Sequence, residues 1–195
     1  MIPALARNIF LIGLIAASFG HAGQTTTTPT GAAISPVKTT LAEPIYVAGF
    51  LVRTSNAKEV SGNGEIGKLW GRFMQQNLAT QIPNKIGHTL MVVYSDYASD
   101  EKGEYTYLLG APVSTVDGLP ANLSFRRIPP GNYAVLTTAQ GPLIEVLQST
   151  WKQIWSATPA QLGAPRAFVA DYEIYDQRSA DPNNAQVEIH VGLRR

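Results

Sequence analysis

Residues 166–176 read Arg-Ala-Phe-Val-Ala-Asp-Tyr-Glu-Ile-Tyr-Asp. Such a run, rich in aromatic and aliphatic residues, marks a β-strand whose successive side chains point to opposite faces. Phe168, Ala170, Tyr172 and Ile174 make an apolar face, the one expected to receive a helix. Asp171, Glu173 and Tyr175 fall on the other. One apolar face and one face carrying acids and a tyrosine suit an antiparallel sheet with helices on one side.

The neighbouring segments extend this strand into a unit. Residues 186–193 form its closing partner across the turn-rich residues 179–184. There Val187, Ile189 and Val191 are expected in the core, which sends Glu188 and His190 to the face of the acids. Upstream, Pro129-Pro130-Gly131 introduces a strand at 132–138. Pro142 then opens a helix with the apolar stripe Leu143, Val146, Leu147, Trp151, Ile154 and Trp155. The order is strand–helix–strand–strand.

The first half repeats it. Residues 45–54 are a strand, and Ile66, Leu69, Trp70 and Phe73 recur at helical spacing. Residues 89–97 and 104–113 then form a strand pair around the turn 99–103. Trp70 corresponds to Trp151, Tyr94 to Tyr172, Tyr97 to Tyr175 and Gly110 to Gly192, which argues for an internal duplication. The expectation is an α+β fold: a duplicated βαββ unit with pseudo-twofold symmetry, half-repeats at about 45–113 and 123–194, and antiparallel sheets with helices on one face. The opposite sheet faces would meet at a ligand cleft. Val93, Ser95 and Tyr97 are expected on that cleft side, with Glu104, Thr106 and Leu108 by the repeat or, alternatively, Tyr105 and Tyr107 lining its rim.

The 195 residues suit one domain of 45–195 and are ample for a hydrophobic core. The 45% hydrophobic content excludes a disordered chain, and a net charge of +1 excludes a binder that grips nucleic acid through a basic surface. With no cysteine there is no disulfide, thiolate nucleophile or Cys-ligated metal. Residues 1–22 carry Arg7, an apolar run at 9–19 and small residues at Gly20 and Ala22. That is the pattern of a secretory signal cleaved after Ala22, the run being shorter than the ~20 residues a spanning helix needs. It places the mature protein in the bacterial periplasm, with 14 basic residues against 14 acidic ones once Arg7 is gone. Residues 23–44, rich in Thr, Pro, Ala and Gly, read as a flexible spacer.

Glu173 stands out against this neutral background. If its sheet face is covered, an unpaired carboxylate there is costly and its pKa rises. The physical remedies are a basic neighbour, a proton, or a cationic ligand held by charge and by aromatic faces.

The segments Val47-Ala-Gly-Phe-Leu-Val-Arg-Thr-Ser-Asn56, Glu104-Tyr-Thr-Tyr-Leu-Leu-Gly110, Trp151-Lys-Gln-Ile-Trp155 and Asp171-Tyr-Glu-Ile-Tyr-Asp176, with Leu69-Trp70 and Phe73 and with Ile128-Pro129 before Gly131-Asn-Tyr133, resemble the GyrI-like small-molecule-binding family. That family includes the effector-binding domains of AraC- and MerR-type regulators and the stand-alone integron-cassette binding proteins. The resemblance covers residues 45–194. It implies a ligand cleft between two βαββ units, with Glu173 as the pocket carboxylate among aromatic residues that receive flat, hydrophobic and often cationic compounds. Two features depart from the regulators: no helix-turn-helix segment is present, and an export signal is.

The expected site is therefore Glu173, Tyr97, Tyr175, Tyr105, Trp70 and Asp171, binding a small hydrophobic or aromatic molecule, cations included. No cofactor, metal or nucleic-acid partner is expected: His88 and His190 lack ligand-spaced companions, and no phosphate- or dinucleotide-binding motif is present. The spacer leaves room for a membrane-protein partner. The resemblance also implies an alternative, a hydrolase of a reactive small molecule, since some GyrI-like relatives use a Glu and a Tyr on water and leaving group; Glu173 with Tyr97, Tyr105 or Tyr175 would take those roles.

Overall fold

A computed structural model describes residues 36–195, and the signal expected at 1–22 lies outside the described residues. The eight strands are β1 (Val37–Leu41), β2 (Ile45–Ser55), β3 (Leu90–Ser95), β4 (Glu104–Val113), β5 (Ser124–Ile128), β6 (Gly131–Thr137), β7 (Ala170–Tyr175) and β8 (Glu188–Leu193). Among the described residues four α-helices accompany them: α1 (Asn56–Val60), α2 (Ile66–Gln75), α3 (Leu143–Ser156) and α4 (Pro159–Leu162). All strands join one sheet in the order β1-β6-β8-β7-β3-β4-β2-β5, with every pairing antiparallel. The α+β class and the strand–helix–strand–strand order are as expected.

Three particulars differ from the sequence reading. The halves do not form separate sheets, because β3 and β7 pair from Leu90↔Tyr175 to Ser95↔Ala170. The sheet also starts inside the expected spacer, since Val37–Leu41 pairs along β6. Val37-Lys-Thr-Thr-Leu41, mostly β-branched or apolar, can form a ladder once a partner strand is available, which composition alone does not reveal. Finally, Tyr94 pairs with Asp171 and Tyr172 with Val93, so Tyr94 and Tyr172 lie on opposite faces. The Tyr-x-x-Tyr correspondence therefore does not survive at its first member.

The connections dictate the sheet's shape. β5 ends at Ile128 and β6 begins at Gly131, a step of at most about 11 Å. In a flat sheet those strands, six places apart in the order, would stand about 29 Å apart. Leu41 to Ile45, linking β1 to β2, makes the same demand. The sheet must curl until its ends approach. The face turned inward by the curl carries Val47, Val93, Leu108, Ile128, Tyr133 and Tyr172, all buried without any helix. The cross-strand pair Gly49↔Gly110 lets β2 and β4 run close, for a Cβ at either position would strike the facing backbone.

Both long helices pack on the other face. From α2, Leu69, Trp70 and Phe73 lie on a floor that includes Ala48, Val92, Tyr107 and Leu109. From α3, Trp151 and Ile154 lie on Ala134, Leu136, Ile189 and Val191. Truncating one of these buried aliphatic side chains to alanine costs about 2–5 kcal/mol. Glu173, paired with Val92 and Ile189, belongs to this helix-covered face. The sequence reading grouped the side chains from Ala170 to Tyr175 correctly, but Phe168, at φ +53° ahead of the strand, leaves that alternation to pack against Tyr97, and the helices lie on the other group. The reason is the curl: an apolar sheet face can be closed by the sheet itself.

Candidate functional site

The centre of the helix-covered face is Glu173, which is 2% exposed. Its Oε1 accepts hydrogen bonds from Tyr94 Oη at 2.9 Å and Trp151 Nε1 at 2.6 Å, and its Oε2 from Tyr175 Oη at 2.6 Å. The donors come from β3, α3 and β7, so sheet and helix fix the carboxylate together. All three are neutral. Burial pushes the Glu173 carboxyl above the usual glutamate value, and only these three hydrogen bonds pull the other way.

Aromatic rings wall the carboxylate. Tyr94 meets Trp151 at 5.0 Å, Tyr107 at 5.2 Å and Tyr105 at 5.5 Å between ring centroids. Trp70 lies 5.3 Å from Tyr175, and its Nε1 donates to Tyr107 Oη at 2.7 Å. Burial, followed by the nearby Glu173 charge, pushes the Tyr94, Tyr107 and Tyr175 hydroxyls well above the ordinary phenol value. They are hydrogen-bond donors at any physiological pH. Of Glu173's three donors, Tyr94 alone is half-buried, so solvent approaches the cluster on its side.

Two residues along β7, Asp171 is fully buried in a different setting. Its Oδ2 accepts from Arg166 Nη2 and from Tyr97 Oη, each at 2.6 Å, and its Oδ1 from the Gly192 amide at 2.8 Å. The β7–β8 ladder runs from Tyr172 to Ile174, so this carboxylate continues the pairing where the strands part. The Arg166 guanidinium, with its side chain 8% exposed, also sits 4.3 Å above the Phe168 ring.

Of the six residues singled out from the sequence, Glu173, Tyr175 and Trp70 come together directly. Tyr105 packs between Tyr94 and Tyr97 and donates to Asn56 Oδ1 at 3.0 Å. Tyr97 and Asp171 form the adjoining cluster with Arg166. Sequence reasoning did not single out Tyr94 or Trp151, and it put Tyr107 at the rim of the cleft rather than in the wall of Glu173. It assigned Val93 and Ser95 to the acid face by counting back from Tyr97, but Asp96 takes φ +50° and resets the alternation between Ser95 and Tyr97. Tyr94 and Tyr97 thus both reach Glu173's face despite their odd spacing. The expected members Glu104, Thr106 and Leu108 give way to Tyr105 and Tyr107 for the same reason of parity, since Tyr107 pairs with Tyr94.

Glu188 and His190 are also not on this face. His190 pairs with Tyr172 and stacks on it at 4.3 Å, while Glu188 binds Arg178 at 2.8 Å. Burial lowers the His190 pKa below the usual imidazole value. Among the described residues no three His, Asp or Glu side chains gather in a way that could hold a metal ion.

A curled eight-stranded sheet under two helices, with an acid set among aromatics, defines an effector-binding domain of the GyrI-like fold. Residues 40–193 match the integron-associated effector binding proteins (Cass2), and the chain belongs to that family. It is 34% identical over 149 residues to the putative transcriptional regulator protein YobU of Bacillus subtilis, covering 76% of this chain and 91% of that protein. Among solved structures it resembles the integron cassette protein VCH_CASS2 of Vibrio cholerae, with a TM-score of 0.64 at 23% identity over 82% of this chain and 96% of that one. It also resembles SAV2435 bound to tetraphenylphosphonium, with a TM-score of 0.66 at 14% identity over 83% of this chain and 94% of that one.

Proposed function

We propose that this protein binds a lipophilic organic cation at Glu173, between α2 and α3, and that it does so after export. The observation that carries the proposal is the carboxylate itself: buried, held by three neutral donors, and walled by Tyr94, Tyr107, Tyr175, Trp70 and Trp151. A buried charge without a partner is unfavourable, and a cation with aromatic or alkyl arms satisfies charge and walls together. The tetraphenylphosphonium bound by SAV2435 is a ligand of this chemical kind on the same fold. Export rests on the sequence of residues 1–22 alone.

Calorimetric titration with tetraphenylphosphonium tests the binding. Wild type should bind, and Glu173→Gln, which keeps the shape and removes the charge, should lose more than tenfold in affinity, or about 1.4 kcal/mol. Equal affinity of the two proteins would remove Glu173 from the site. Fractionation of expressing cells with N-terminal sequencing tests export, for which a chain beginning at Gly23 is expected.

A further inference from the structure

The last turn of α3 holds an aromatic residue that fold stability does not account for. Trp151 is 8% exposed and gives its indole N–H to Glu173. Trp155, one helical turn on, is 39% exposed. The two rings stack with centroids 6.2 Å apart and planes inclined by 29°. Trp155 therefore packs offset beside Trp151, and its ring still meets solvent. Trp151 also meets Tyr94 at 5.0 Å, edge to face. Three rings thus run from solvent to the carboxylate.

A tryptophan placed for packing would be buried, as Trp70 is, with its N–H engaged by Tyr107. The core side of α3 is already filled by Ile154, 1% exposed, and by Trp151. Trp155 adds little to that core. It does present an indole, the most attractive ring for a cation, next to the residue that grips Glu173.

We propose that Trp155 is the outer binding residue of the cation site, the ring on which a large aromatic cation first docks and against which one of its arms then rests. This rests on the Glu173 reading and assigns a specificity role within it. A cation broad enough to span from Glu173 to the surface gains from Trp155, whereas a compact quaternary ammonium does not reach it. The site should therefore favour bulky aryl cations over small ones, and Trp155 should set that preference.

The test compares wild type, Trp155→Ala, Trp155→Phe and Glu173→Gln. Each is titrated with tetraphenylphosphonium and with tetramethylammonium, and stopped-flow tryptophan fluorescence gives the association rates. Thermal unfolding of each variant is measured alongside. Trp155→Ala should weaken tetraphenylphosphonium binding about two- to fivefold, the range an exposed cation–π contact supplies, and slow its association. Tetramethylammonium binding and the unfolding temperature should stay at wild-type values. Trp155→Phe should restore most of the loss. Wild-type affinity and association rate in Trp155→Ala, with binding lost in Glu173→Gln, would overturn this proposal and leave the Glu173 site standing. Equal weakening for both cations would overturn the specificity role. No binding by wild type, or undiminished binding by Glu173→Gln, would remove both.

Discussion

Asp171 and Glu173 stand two residues apart on one strand, point to the same face and are equally buried, yet they are solvated by the protein in opposite ways. Asp171 has an arginine, a backbone amide and a tyrosine hydroxyl. Its charge is matched within the chain, and it bridges the gap where β7 and β8 part. Glu173 has a tyrosine pair and an indole, which soften its charge without matching it. The difference separates an acid whose charge the fold matches from one whose charge, on the proposed reading, a ligand would match. Burial alone would have ranked them together.

The largest expected effect concerns Asp171. Asp171→Asn strands the Arg166 charge in the interior and should destabilise the protein by about 3–5 kcal/mol in chemical denaturation. Tetraphenylphosphonium affinity of the folded variant should stay within about threefold of wild type, a change of about 0.65 kcal/mol or less. A loss below about 1 kcal/mol would mean that Arg166 finds another partner, for which Glu101, 3.8 Å from Nη1, is the nearest carboxylate, and would blur the comparison.

Glu173→Gln should act in the opposite direction. Removing an unmatched buried charge should raise the melting temperature of the ligand-free protein by about 2–4 °C, equivalent to about 1 kcal/mol for a chain of this size. The pH dependence has the same origin. Because the folded-state pKa is raised, the folded protein keeps a proton that an unfolded glutamate releases. Stability of the ligand-free protein should therefore fall as pH rises from the ordinary glutamate value through the raised one, then level off. Glu173→Gln should abolish that slope. A melting temperature lowered by this substitution would show that the three donors more than match the charge.

The smallest effect belongs to the donors. Tyr94→Phe removes one of two bonds to Oε1, worth about 1 kcal/mol. It should raise the Glu173 pKa further, because one of the hydrogen bonds that favour the ionised form is gone, and shift the onset of cation binding to higher pH. An unshifted onset would assign Tyr94 to wall rather than donor.

Most of the fold was legible in the sequence, because the 3.6-residue stripes at Leu69–Phe73 and Val146–Trp155 and the alternation in β7 are local patterns. What was not legible depends on non-local geometry. The curl that closes the face of Tyr172 follows from two short connections together with a strand order that local patterns do not reveal. The positive φ of Asp96 shifts the parity by which Tyr94 was overlooked, and an aspartate in a turn gives no warning of it. Glu173 stood out because an acid between tyrosines in an apolar strand is chemically conspicuous. Arg166, which sets Asp171 apart, lies only five residues away and shows no sequence signal, for between the two the chain takes a positive φ at Phe168 that alternation does not foresee.

The most direct measurement is a ¹³C NMR titration of the Glu173 side-chain carboxyl, with and without tetraphenylphosphonium. Without ligand it should titrate above the ordinary glutamate range, and with ligand its midpoint should drop as the cation stabilises the ionised form. A Glu173 that titrates normally, or whose midpoint ignores the cation, would contradict the view that this carboxylate is unmatched and that a cation is what matches it.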